Sequence, residues 1–359
     1  MAATTSENLA GLSLEELETL IASFKPGDDP RQQAEVLDYA GLAALARGDG
    51  PRARGHLERG EKLLKDAGVD LAATPIPGHL ASAYRSLGLL DAALSRFHDA
   101  LAALEQRPAP GPELRAALLI DYAGALLAAG EVAAAHDRYQ QAQALCEADA
   151  TLAAWLPSVL RGLADAASRQ GHEAEAEGAL ARALALLDEK PNPRAQAATL
   201  LALGQVRRRQ GDWTGARPSF EQGLDLARAL GDTRSEAYFL LELGYLESET
   251  GQGERGVALL EEARRLFAAL ADAKGLDSAE RRQGEAQLKL AGSSLGMTLL
   301  GHDIGGQSNT RPVDLTGSDL PWPGDPGDSK RPTPTPRRAK REAGPVRGAW
   351  AGNPLEGLR

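Results

Sequence analysis

Small and large side chains recur along this chain with a long, regular period. Glycines stand at Gly48, Gly88, Gly130, Gly171, Gly211 and Gly251, at spacings of 40, 42, 41, 40 and 40 residues. Their surroundings repeat with them. Seven positions earlier come Gly41, Ala81, Ala123, Ala164, Gly204 and Gly244, and five positions later Ala53, Ala93, Ala135, Ala176, Ala216 and Gly256. Twelve positions later come Gly60, Ala100, Ala142, Ala183, Gly223 and Ala263. Large residues hold two other positions: Leu57, Phe97, Tyr139, Leu180, Phe220 and Leu260 nine after the glycine, and Leu37, Pro77, Leu119, Leu160, Leu200 and Leu240 eleven before it. Antiparallel helices that approach closely need a small residue where their backbones meet and a large one beside it to fill the groove. The glycine suits the left-handed turn after the first helix. The pattern predicts six units, each of helix A, a glycine turn, helix B and a connector, within residues 31–291.

Both ends depart from the period. Residues 1–30 form an N-terminal segment with one expected helix at 13–24, SLEELETLIASF, where Ser13 and Glu16 make a capping-box pattern. Residues 276–291 suit a charged capping helix with a polar outer face, which stacked repeats need for solubility. Residues 292–359 read as a Pro/Gly-rich disordered tail. Nine prolines fall between 312 and 354, and residues 330–341, KRPTPTPRRAKR, hold six basic side chains and no acid. Trp322 and Trp350 also lie there. This tail reads as a solubilising linker, a short docking motif, or a segment that meets the acidic body or nucleic acid.

The repeat pattern resembles the tetratricopeptide repeat over roughly residues 33–270, as in LLALGQVRRRQGDWTGARPSFEQGLDLA and LLELGYLESETGQGERGVALLEEARRLF. Its period exceeds the usual ~34 residues. In that respect it is similar to the longer repeats of kinesin light chains and of MalT-like and quorum-responsive bacterial regulators. The resemblance implies an all-α fold: a right-handed α-solenoid of six helix-turn-helix repeats that binds proteins rather than catalysing a reaction.

Composition agrees with helices. Hydrophobic residues make up 43% of 359 residues and aromatics only 4%, and Ala and Leu dominate. The net charge of −10 is uneven: residues 301–359 carry 9 basic against 7 acidic side chains, leaving −12 on the rest. Such a body repels phosphate backbones, so nucleic acid is not an expected partner except weakly through the basic tail. A single cysteine, Cys146, excludes an internal disulfide, and neither a secretory leader nor a membrane span is apparent. The expectation is a cytoplasmic protein.

Chemical motifs are sparse. GQGERG at 251–256 matches a dinucleotide loop formally, but its end glycines are the turn and small positions of repeat six. GSSLG, centred on Ser294, follows a helix rather than the strand a nucleophile elbow needs, leads into the tail, and has only His302 downstream. The six histidines share no metal-ligand spacing. Cys146 reads as a small buried hydrophobe or a reactive thiol. No metal, cofactor or catalytic residue is expected.

In proteins of the resembling family the A helices line a concave groove. Carried over by position, this implies Ser82 and Arg85 in repeat two, Arg161, Asp165 and Arg169 in repeat four, and Gln205, Arg208 and Arg209 in repeat five. Repeat six adds Tyr238, Tyr245 and Glu249, and the capping helix Arg281 and Glu285. Four arginines in repeats four and five point to an acidic peptide or chain terminus as ligand. The competing reading is a solvated face with internal pairs such as Arg161–Asp165. The family's carboxylate clamp uses Asn and Lys at A-helix positions that here hold Gly162, Asp165, Ala202 and Gln205, so that activity is not implied. The function expected is a protein-interaction scaffold or adaptor. The alternative is a peptide-sensing regulator without its own DNA-binding domain.

Overall fold

The structure, a computed structural model, describes residues 9–25, 27–108 and 111–300, with side chains to residue 292. The tail motifs, the basic cluster at 330–341 and both tail tryptophans lie outside the described residues. Among the described residues there are fourteen α-helices and no strand. Helix α1 (Leu14–Ser23) opens on the expected capping box. The Ser13 hydroxyl accepts the Glu16 N–H at 3.3 Å, and the Glu16 carboxylate accepts the Ser13 N–H at 2.7 Å.

The A and B helices then alternate. They are α2 (Pro30–Ala46) with α3 (Gly50–Asp66), α4 (Ile76–Ser86) with α5 (Leu90–Glu105), and α6 (Pro112–Ala129) with α7 (Val132–Ala148). After these come α8 (Leu156–Arg169) with α9 (Glu173–Glu189), α10 (Pro193–Arg209) with α11 (Trp213–Ala229), and α12 (Thr233–Glu249) with α13 (Gly253–Ala269). A final helix, α14 (Ala273–Leu300), occupies a seventh A position. It runs beyond the expected end at residue 291, so the backbone of 292–300, placed with the tail from composition, is helical. The GSSLG segment is thus within a helix and not at a strand-to-helix turn. The described residues divide into two compact units, 9–162 and 163–300.

The glycine turns explain the period. All six anchor glycines have positive φ, between 75° and 88°, where a Cβ would clash with the following carbonyl. Each turn closes on itself. Gly48 N–H donates to Leu45 and Asp49 N–H reaches back to the Ala44 carbonyl at 2.9 Å. Leu89 to Tyr84, Glu131 to Leu126, His172 to Ala167, Asp212 to Arg207 and Gln252 to Glu247 repeat the bond at 2.9–3.0 Å. This reciprocal pattern satisfies the helix-end carbonyls without outside help.

The small and large positions meet as the spacing implies. A Cβ on Gly41 would come within 2.6 Å of the Leu57 side chain, and one on Gly244 within 2.7 Å of Leu260; Gly204 faces Phe220 in the same way. The small position twelve after the anchor contacts the next A helix instead: Gly60 faces Ile76, and Gly223 faces Phe239. Ile76 rather than the half-buried Pro77 fills the large role in repeat two, because α4 begins there. Gly256, the end of the dinucleotide-like motif, lies against the Gly244 carbonyl at a helix crossing. Successive A helices also touch one another, α2 with α4 and α4 with α6 in the first unit, α10 with α12 and α12 with α14 in the second. Among the described residues no helix is long and apolar enough to cross a membrane.

Candidate functional site

The A-helix layer carries two polar clusters, one in each unit. In the second unit the centre is Glu242 of α12, only 3% exposed. Gln205 Nε2 on α10 donates to its Oε1 at 3.1 Å, and Arg282 Nη1 on α14 donates to its Oε2 at 3.2 Å. Arg208 Nε on α10 stands 3.3 Å from the same oxygen. Burial pushes the Glu242 carboxyl up, but Arg282, Arg208 and Gln205 together outweigh it and hold it below its ordinary 4.5. One turn along α12, Tyr245 lies against both guanidiniums, whose carbons are 5.2 Å (Arg208) and 4.7 Å (Arg282) from its ring centre. These are cation–π distances. Trp213 of α11 adds a tilted ring 6.1 Å from that of Tyr245. Lys289 reaches Glu249 at 2.5 Å at the edge of the cluster.

The residues expected from sequence separate into those that meet here and those that do not. Gln205, Arg208, Tyr245 and Glu249 come together. Arg209 turns instead to the α8–α9 turn, where its Nε donates to Glu173 of α9 at 2.9 Å and its Nη2 to Ser168 of α8. Tyr238 packs edge-on against Phe267 of α13, centres 4.9 Å apart. Arg169 and Asp165 pair along α8 at 3.0 Å. Arg281 is exposed and its neighbour Arg282 takes the inward position.

The first unit holds a ladder of different charge. Asp38 of α2 and His79 of α4 are 2.7 Å apart through Oδ1 and Nδ1, the imidazole N–H donating. Ser82 Oγ, also on α4, donates to Asp121 Oδ2 of α6 at 3.2 Å, and Asp121 acts electrostatically on His79 as well. Arg85 extends toward Gly124 of α6. Burial lowers the Arg161 pKa, with Tyr139 acting the other way.

Sequence reading missed Glu242, Arg282, Asp38, His79 and Asp121. One signal was available. Asp38, His79 and Asp121 are 41 and 42 residues apart, and Glu242 and Arg282 are 40 apart, so titratable groups recur at the repeat period where their helices touch. Cys146 is buried and its thiol is pushed up to about 11, first by burial and then by Glu147. No group of three or more His, Cys, Asp or Glu among the described residues is arranged to hold a metal ion.

A family model described as "Tetratricopeptide repeat" matches residues 154–229. No curated protein matches the sequence. Among solved structures the chain is similar to the Cut9–Hcn1 hetero-tetramer of the APC/C, at 17% identity and a TM-score of 0.59 over 80% of this chain. It spans about half of that protein, 49%. It is also similar to a Rap protein complexed with Competence and Sporulation Factor (17% identity, TM-score 0.55, 77% of this chain and 80% of that one). A third likeness is to the apo form of the quorum sensor NprR from B. thuringiensis (15%, 0.51, 77% and 80%). At these identities the likeness is one of fold.

Proposed function

We propose that this chain, a tetratricopeptide-repeat protein, is a non-catalytic scaffold that holds a peptide or protein segment against its A-helix layer. The observation that carries the reading is the cluster on α10, α12 and α14. There a tyrosine ring lies against two guanidiniums, beside Trp213 and Gln205, on helices whose other sides are packed into the core. Aromatic and arginine side chains are the ones that dominate protein-binding energy. An acidic segment suits this surface best. Arg208 and Arg282 face one carboxylate between them, and Arg169 with Asp165 continues the polar stripe on α8. The proposal includes a cytoplasmic setting, in which the buried thiol of Cys146 stays reduced.

A second reading is a peptide-sensing regulator. Its support is the likeness to a Rap protein solved with Competence and Sporulation Factor and to the quorum sensor NprR. Selection of displayed 12-residue peptides separates the readings and tests both. The scaffold reading expects peptides rich in Asp and Glu, bound less tightly at high salt. That selection disappears when Arg169, Arg208 and Arg282 are all changed to Gln, with helicity as the control. Unchanged selection by this variant refutes the arginine site. A regulator expects instead one defined sequence whose binding changes little with salt; in either reading a peptide that binds raises the melting temperature.

A further inference from the structure

We propose that His79, with Asp38 and Asp121, is a pH-sensitive tie across the A helices of the first three repeats. The three groups sit on three neighbouring helices, α2, α4 and α6, and nothing in the binding proposal uses them. The carboxylate facing the imidazole from α2 is Asp38, and from α6 Asp121; on α4 itself Ser82 is bonded to Asp121. Tyr39, beside Asp38 on α2, has its hydroxyl raised by burial, Glu35 and Asp38, so it does not titrate near neutrality. A protonated imidazole between two carboxylates draws α2 and α6 toward α4. When it loses its proton, two negative charges remain around a neutral ring in a largely buried place, and the three helices lose that attraction.

The direction of the effect follows from the surroundings. Burial pushes the His79 pKa down, but the charge and hydrogen bond of Asp38 and the charge of Asp121 outweigh it, leaving it above the ordinary 6.5. A group with a raised folded-state pKa gives stability that is complete below its unfolded value and lost as pH climbs through the folded one. The tie therefore holds in mild acid and loosens above pH 6.5. The folding equilibrium changes about tenfold for each pH unit by which the folded value exceeds the unfolded one.

The test uses the full chain without any ligand, so it stands apart from the binding proposal. The His79 ring is titrated by NMR in the wild type and in Asp121→Asn, and urea unfolding of wild type and His79→Gln is compared from pH 5.5 to 9. The tie expects His79 to titrate above 6.5 and to fall in Asp121→Asn. It also expects the stability gap between wild type and His79→Gln to shrink as pH rises. Exchange protection, corrected for intrinsic rates, should fall at high pH in α2, α4 and α6 but not in α10 and α12. A His79 pKa at or below 6.5, or a gap that is constant with pH, overturns the proposal. If His79→Gln does not fold, the ring titration of the other two proteins decides alone.

Discussion

Changing Glu242 to Gln keeps the volume of the side chain and removes its charge, which isolates what the buried carboxylate does between Arg208 and Arg282. At an effective dielectric of about 20, an ion pair near 3.3 Å is worth about 5 kcal/mol in gross attraction. Desolvation of each of the three ions costs several kcal/mol and offsets most of the two pairs together. The intact cluster therefore contributes little net stability. Removing only the acid is different, because Arg208 and Arg282, at 11% and 15% side-chain exposure, then face each other without it. Breaking a buried pair in this way costs about 3–5 kcal/mol. Glu242→Gln should lose about 3 kcal/mol, and Glu242→Ala a further ~1 for the lost bond from Gln205. Replacing all three by Leu, Met and Leu should come close to wild type or exceed it.

Urea unfolding at pH 7 followed by circular dichroism measures the losses, and hydrogen exchange in α10, α12 and α14 localises them. The pH dependence adds a sign. A folded-state pKa below 4.5 means that the carboxylate's contribution is complete above 4.5 and is lost as pH falls through the folded value. The gap between wild type and Glu242→Gln should thus be flat from pH 7 to 4.5 and close in stronger acid. A Glu242→Gln protein within 0.5 kcal/mol of wild type, or a gap that ignores acid, would refute the account.

Three further outcomes follow from the packing. Gly204→Ala gains ~1 kcal/mol of helix propensity but drives a methyl into the buried Phe220 ring, so a net loss of about 1–2 kcal/mol is expected in urea unfolding. Ala271 is a non-glycine residue with a φ of 51°, forty residues after Gly231 with a φ of 64°. Ala271→Gly should therefore raise stability by about 0.5–1 kcal/mol, and a melting curve at or below wild type would contradict the strain. Cys146 should resist a thiol reagent at pH 8 in the native state and react fully in urea, as its burial and its pKa of about 11 require; rapid native reaction would contradict both.

The parts of the fold that were legible share one cause. A left-handed turn accepts little but glycine, and a close helix crossing accepts little but Gly or Ala, so steric demands leave the same letters in every repeat. The polar clusters leave no such mark. Glu242 reads like any solvated helix glutamate until its partners, Gln205 37 residues before it and Arg282 40 after it, are known to face it. Neighbouring residues on a helix differ by about 100° in direction, which is why Arg208 faces Tyr245 and Arg209 faces α9, and why Arg282 and not Arg281 turns inward. A period of forty fixes which helix a residue belongs to, but not its rotation to that accuracy. Pro77 shows the same limit: the period points to it, whereas the start of α4 hands the role to Ile76.

The self-closing glycine turns bear on how the protein is made. Each turn satisfies its own backbone within six residues, and each helix packs chiefly on its neighbours in the chain, a B helix most of all on the A helix before it. Within a unit, a segment leaving the ribosome finds its docking surface already built and does not wait for distant sequence. Assembly can keep pace with synthesis from the N-terminal side, so little apolar surface stays uncovered on the nascent chain.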